Sequence, residues 1–152
     1  MSDTDPFNLS DFLPYLMNQA ADELSLEFQK IYRGRYGMLR TEWRVLFHLG
    51  HYGPMTAKEI CDRARLHKTK VSRAVAALED KRYLSRNIRE SDRRHAELCL
   101  TVQGAQVFKI LRAEAQAYDE SVRARLTQSE AEVLKRCLRR LSNLPVDPGP
   151  TE

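Results

Sequence analysis

Thr56-Ala57-Lys58-Glu59-Ile60-Cys61-Asp62-Arg63-Ala64-Arg65-Leu66-His67-Lys68-Thr69-Lys70-Val71-Ser72-Arg73-Ala74-Val75-Ala76-Ala77-Leu78 decides the fold. It opens with Thr56-x-x-Glu59, a spacing that lets the hydroxyl accept from a backbone N–H while the carboxylate returns a bond to the cap. Ala57, Ile60, Cys61 and Ala64 then share one helical face. After a short break, Val71, Val75 and Leu78 recur at i, i+4 and i+7. Two short helices joined in this way form a helix-turn-helix. At about 100° per residue, Val75 and Leu78 fall within about 40° of Val71, which points inward. Thr69, Arg73 and Ala76 therefore face outward, flanked by Lys70, Ser72 and Ala77.

That outward face suits a DNA major groove. Arg binds guanine through two hydrogen bonds, Ser and Thr read several base edges, and Ala meets a thymine methyl. The small Ala76 and Ala77 let the helix approach the bases closely. Arg63, Arg65 and Lys68 lie near the turn, where contacts to phosphate set register without reading sequence. His67 is expected to cap the second helix.

Downstream, the period changes from helical to alternating. Leu84, Arg86 and Ile88 alternate with Ser85, Asn87 and Arg89, and Ala96, Leu98 and Leu100 alternate with His95, Glu97 and Cys99. Period two on both sides of Glu90-Ser91-Asp92-Arg93 predicts a β-hairpin with a charged tip. An Arg at such a tip gains from the negative potential of a neighbouring minor groove, most where A·T tracts narrow it. Asp92 is expected to hold an adjacent Arg in place. An ordinary solvated turn is the competing reading of this tip.

The rest of the chain reads as helix. Leu9, Phe12, Leu13, Leu16, Met17, Ala20, Leu24, Phe28 and Ile31 form one long stripe. Trp43, Leu46, Phe47 and Gly50 form a second, expected to follow a Thr41 cap. Thr101 is expected to cap a long helix bearing Ala105, Phe108, Leu111, Ala115, Tyr118 and Val122. A second box, Thr127-x-x-Glu130, opens the helix carrying Val133, Leu134, Cys137, Leu138 and Leu141. The expected architecture is mainly α with a small β-hairpin wing: one domain over 1–152, with the DNA-binding lobe at 41–100, helices at 9–33 and 101–144, and a flexible tail at 145–152.

Charge follows the same division. Residues 58–95 carry twelve Lys or Arg and six Asp or Glu, a net of +6, whereas the remaining residues net −2. A solvated basic face is the ordinary explanation of such an excess. Its coincidence with a helix-turn-helix favours a phosphate-binding footprint. With 42% hydrophobic and 30% charged residues the chain is globular, and it has no run of about 20 apolar residues able to span a bilayer. The acidic start lacks the order of a secretory signal, so a cytoplasmic location and no membrane partner are expected.

Several chemistries find no support. Cys61, Cys99 and Cys137 are nearly forty residues apart, a spacing of neither a disulfide framework nor a zinc knuckle. His48-x-x-His51 places two imidazoles on nearly one helical face, fewer ligands than a metal site needs. No phosphate-cradling glycine loop, HExxH or nucleophile elbow is present, so no enzyme activity, metal or cofactor is expected.

With these pieces in order, the chain resembles the MarR family of winged-helix regulators from Leu9 to about Leu144. The resemblance rests on Thr41-Glu42-Trp43-Arg44-Val45-Leu46, Gly53-Pro54-Met55-Thr56-Ala57-Lys58-Glu59-Ile60, Lys70-Val71-Ser72-Arg73, and Ser91-Asp92-Arg93-Arg94 running into Leu98-Cys99-Leu100-Thr101. Asp92 and Arg94 carry the family's Asp-x-Arg at the wing tip. The resemblance implies a homodimer built from both ends of each chain, on a pseudo-palindromic double-stranded DNA operator. It further implies repression relieved by a small aromatic or related metabolite. The DNA-contacting set is then Lys68, Thr69, Lys70, Ser72, Arg73, Ala76, Arg82, Arg86, Asp92, Arg93 and Arg94. Tyr15, Trp43, Phe47 and Phe108 lie on helices that bound the family's effector cavity, although each also reads as core. Arg82 stands where the family often has Gly. A left-handed Arg costs roughly 1 kcal/mol, so the helix end is expected to differ slightly, with Arg82 adding a phosphate contact. The competing function is a partner-binding, antirepressor-like protein that keeps the fold without specific DNA binding.

Overall fold

The computed structural model describes residues 6–88 and 96–144. The chain divides into two compact units, Met1–Gly37 and Met38–Glu152.

The first unit is a short 3-10 turn, Leu9–Asp11, followed by helix α1, Leu13–Tyr36. Asn8 caps the turn by accepting from the Ser10 N–H at 3.0 Å. Pro14 occupies the first turn of α1, where its missing N–H costs nothing. Gly37 ends the helix in the left-handed region at φ 62, its N–H bonded to the Arg33 carbonyl. The stripe read from sequence exists, but Leu9, Phe12, Leu13, Tyr15, Leu16 and Leu26 are exposed.

The second unit runs α2 (Arg40–Tyr52), β1 (Met55–Thr56), α3 (Ala57–Ala64), α4 (Lys68–Asp80), β2 (Leu84–Asn87), β3 (Glu97–Leu100), α5 (Val102–Arg123) and α6 (Gln128–Ser142). Its core is Val45, Leu46 and Leu49 of α2, Ile60 of α3, Val71, Val75 and Leu78 of α4, Leu84 and Leu98 of the sheet, and Leu111 of α5. These are the positions that the helical and alternating periods turn inward. The architecture is mainly helical with a small antiparallel sheet, as the sequence indicates.

Three local details differ from expectation. Among the described residues the sheet has three strands in the order β1-β3-β2, with Met55 opposite Leu98 and Leu84 opposite Leu100. At two residues, β1 is too short to show a period. Helix α2 starts one residue before Thr41, and Thr41 is not its cap. The Glu42 carboxylate takes that role by accepting from the Leu39 N–H at 2.8 Å. Its other oxygen accepts from Lys81 Nζ at 2.8 Å, so a buried carboxylate joins the start of α2 to the end of α4.

The third correction concerns Arg82. The helix end does not shift to avoid the left-handed region, for Arg82 sits there at φ 62. Three bonds hold it: its N–H to the Glu79 carbonyl at 2.9 Å, the Tyr83 N–H to Leu78 at 2.9 Å, and the Thr101 hydroxyl to its own carbonyl at 2.7 Å. At about 1 kcal/mol each, they offset a strain of roughly the same size as one of them. Thr101 also caps α5 by accepting from the Gly104 N–H at 3.0 Å. A Cβ on Gly104 would collide with the Tyr83 carbonyl, so glycine permits the close approach of α5 to the root of the wing.

The other caps fall where the sequence puts them, although of the box expected at Thr56 and Glu59 only the hydroxyl's bond forms. Thr127 and Glu130 close a reciprocal box, and the Thr56 hydroxyl accepts from the Glu59 N–H at 3.2 Å. Hydrogen bonds to the Glu130 carboxylate from the Thr127 backbone N–H and, after it, the Thr127 side chain hold that carboxyl below its usual range.

Candidate nucleic-acid interface and an adjoining cleft

Lys68, Thr69, Lys70, Ser72, Arg73 and Ala76 are all exposed on α4, whereas Val71, Ala74, Val75 and Leu78 are buried. One helix thus presents a continuous polar and cationic face while its other side anchors it in the core. His67 caps this helix, its Nδ1 accepting from the Thr69 N–H at 3.2 Å, which leaves Nε2 as the protonated nitrogen of the neutral ring. Arg65 makes the turn before it, at φ 54, with the Leu66 N–H reaching back to the Cys61 carbonyl.

Arg82 is exposed where α4 passes into the wing. Arg86 lies on β2, and its Nε donates to the Glu79 carboxylate at 2.7 Å. Asp92, Arg93 and Arg94 at the expected wing tip lie outside the described residues. Two arginines read as phosphate contacts have partners within the chain. The Arg65 guanidinium donates to the Ser142 carbonyl at the end of α6 at 2.8 Å, and the Arg63 guanidinium lies 4.0 Å above the Tyr52 ring.

Three of the four aromatic candidates meet. Phe47 contacts Trp43 and Phe108 edge-to-face, with centroids 4.8 and 5.2 Å away. Gly50 makes room for this arrangement, since a Cβ there would overlap the Phe108 ring. Tyr15 belongs to the first unit and is exposed.

Beside these rings lies an open cleft of about 240 Å³, lined by Phe47, His48, His51 and Tyr52 of α2 and by Phe108 and Arg112 of α5. His48 bonds through Nδ1 to the Arg44 carbonyl at 2.6 Å. A carbonyl only accepts, so Nδ1 carries the hydrogen and Nε2 the lone pair. Burial is the main cause holding His48 below the ordinary imidazole value. The bond to the Arg44 carbonyl opposes it, and the positive charges of Arg44, Arg63 and His51 reinforce it. Arg44 in turn donates to the Ala64 carbonyl at 2.6 Å, tying α2 to the end of α3.

His48 and His51 are visible in the sequence as a pair on one face. Arg112 was missed, although it lies four residues beyond Phe108 and hence on the same side of α5. Among the described residues, no group of three or more His, Cys, Asp or Glu could hold a metal ion. Nor is any helix long and apolar enough to cross a membrane.

Comparison with known proteins bears on both features. A sequence model of the MarR family matches residues 36–95. The HTH-type transcriptional regulator YwoH of Bacillus subtilis is 25% identical over 104 residues, 68% of this chain and 75% of that protein. Among solved structures, a MarR/EmrR family transcriptional regulator from Acinetobacter sp. ADP1 superposes with a TM-score of 0.81 at 26% identity, covering 90% of this chain and 96% of that one. BpsR of Bordetella bronchiseptica, whose DNA binding is regulated by 6-hydroxynicotinic acid, shares the fold with a TM-score of 0.82 at 18% identity, covering 92% and 99%.

Proposed function

We propose that this chain, whose residues 36–95 match the MarR family model and whose fold is that of a MarR/EmrR family regulator, is a homodimeric, sequence-specific DNA-binding repressor released by a small aromatic or acyl metabolite. The observation that carries the reading is the exposed face of α4, where Lys68, Thr69, Lys70, Ser72, Arg73 and Ala76 stand opposite four buried residues. In this reading Arg73, Thr69 and Ser72 contact base edges, Ala76 allows close approach, and Lys68 and Lys70 take phosphates. Arg82 and Arg86 serve the backbone at the wing's root, while Arg93 and Arg94 serve the minor groove and Asp92 holds an adjacent Arg in place.

Homodimerisation has its own support. No residue of α6 is buried, and Val133, Leu134, Leu138 and Leu141 are all exposed. Apolar faces of this kind, on α6 and on α1, fit a second copy of the chain better than water. Residues 9–33 and 101–144 are thus the proposed dimerisation helices, 41–100 the DNA-binding lobe and 145–152 a tail. Trp43, Phe47 and Phe108, together with Tyr15 of α1, are the proposed effector-binding residues. BpsR, a protein of the same fold, responds to a single-ring acid.

Selection of bound genomic fragments, followed by footprinting, tests the reading. The expected footprint is a pseudo-palindrome with half-sites about 10 bp apart. Affinity should fall steeply with salt, because each neutralised phosphate releases counterions. Equal binding to every fragment, or an affinity indifferent to salt, overturns it.

A further inference from the structure

The turn between α3 and α4 is tied to two other helices, each time through an arginine. Arg44 of α2 donates to the Ala64 carbonyl at 2.6 Å, and Arg65 of the turn donates to the Ser142 carbonyl at 2.8 Å. Ser142 is the last residue of α6, 77 residues further along the chain. The first bond stays within the lobe formed by α2, α3 and α4. The second leaves it.

The backbone aims the Arg65 side chain. Its φ is 54, in the left-handed region, and the Arg65 and Leu66 N–H groups both reach back to the Cys61 carbonyl. Glycine suits that conformation best, so a large side chain kept there against the strain points to a use for it. At the other end, the last carbonyls of α6 lack partners within the helix and carry the negative end of its dipole. A guanidinium meets that end both as a cation and as a donor. The same carbonyls repel a phosphate brought to the same guanidinium. The bond also closes a frame. Helix α5 leaves the lobe at Thr101, whose hydroxyl donates to the Arg82 carbonyl and caps α5, and α6 returns to the lobe at Ser142. A helical hairpin held at one end can pivot, and one held at both ends cannot.

We propose that Arg65 is a positioning residue: by holding the α3–α4 turn to the C-terminal end of α6, it fixes the separation of the two α4 helices in the dimer, and with it the half-site spacing that the protein accepts. This rests on the homodimeric reading, in which the exposed Val133, Leu134, Leu138 and Leu141 of α6 meet a second copy. It adds to that reading the residue that sets the geometry. Two-fold symmetry gives the dimer two such bonds. Together, two hydrogen bonds from a charged donor support roughly a tenfold preference for one spacing.

Arg65→Gly tests this, because glycine removes the guanidinium and relieves the left-handed strain, so the backbone gives the variant no reason to unfold. Affinity is measured for the operator recovered by fragment selection and for versions with the half-sites one base pair nearer or farther apart. The unmodified chain should favour the recovered spacing. Arg65→Gly should bind it roughly tenfold more weakly, bind the other two as before, and keep the salt dependence. Arg65→Lys, which keeps a cation able to donate to a carbonyl, should restore part of the preference. An equal fall at all three spacings, with the salt slope lowered by about one ion per protomer, identifies a phosphate contact and overturns the proposal. A preference left intact in Arg65→Gly overturns it as well. No preference in the unmodified chain overturns the DNA-binding reading and the proposal together.

A measurement without DNA separates the two. A spin label at Lys58→Cys of α3, with Cys61, Cys99 and Cys137 changed to serine, reports the distance between the two lobes of the dimer. One narrow distance is expected with Arg65 and a broad distribution with Arg65→Gly. Equal widths overturn the role of Arg65 and leave the dimer standing, whereas a monomer in sedimentation overturns both.

Discussion

The exposed face of α4 and the cleft between α2 and α5 are built in opposite ways. On α4, one helix supplies every group, its inner side is locked in the core, and the outer side chains stand in solvent. In the cleft, two helices supply the lining, and two of its polar side chains are already engaged: His48 with the Arg44 carbonyl and Tyr52 beneath Arg63. A surface of the first kind can change its side chains at little cost to the fold. A site of the second kind is less free, because its lining residue Tyr52 also packs under Arg63 of α3. This difference lets the proposed DNA contacts and the proposed ligand response be separated experimentally.

The sharpest break should come where the two regions are joined. Glu42→Ala removes the acceptor of both the Leu39 N–H and Lys81, leaving a half-buried ammonium, so a loss of about 3 kcal/mol in denaturant unfolding is expected. DNA binding and ligand binding should then fail together. Gly50→Val should separate them. It drives Phe108 from its seat, costing about 2 kcal/mol of stability and the ligand response, and it leaves operator affinity intact in a gel shift below the melting point.

Arg73→Ala is the converse. It should lower operator affinity by about 2 kcal/mol and relax base preference at one position of each half-site, with an unchanged melting temperature. A matching fall in stability would show that Arg73 supports the fold instead. The smallest effect belongs to the link between the regions. Arg63→Ala removes the cation above Tyr52, for which a loss of about 0.7 kcal/mol is expected. Under the phosphate-contact reading of Arg63, the same variant would instead flatten the salt dependence of DNA binding by about one ion per protomer.

Legibility in the sequence followed the same divide. The inward and outward faces of α4 came directly from three apolar residues at i, i+4 and i+7, since a helix fixes all its directions once one is known. Caps at Thr101, Thr127 and His67 were readable because each acts within three residues of itself. Thr41 misled because a hydroxyl beside a helical stripe looks like a cap, and only the fold shows that Glu42 has taken the Leu39 N–H. At Arg82 the left-handed cost was known, but the Thr101 bond that helps to offset it comes from nineteen residues away. Arg112 and the floor of the cleft were hidden for a like reason, since α5 had to be laid on α2 before Phe108 could meet Phe47.

Local spacing and charge were enough to establish the helix-turn-helix, the sheet-forming wing segments, the outward residues of α4 and the concentration of positive charge around them. These depend on interactions spanning a few residues, and the backbone's two periods record them directly. Tertiary structure alone decided the third strand, the burial of Glu42, the left-handed Arg82, the intramolecular engagement of Arg63 and Arg65, and the cleft itself. Each requires two segments far apart in the chain to come within bonding distance, and no period in either segment encodes that meeting.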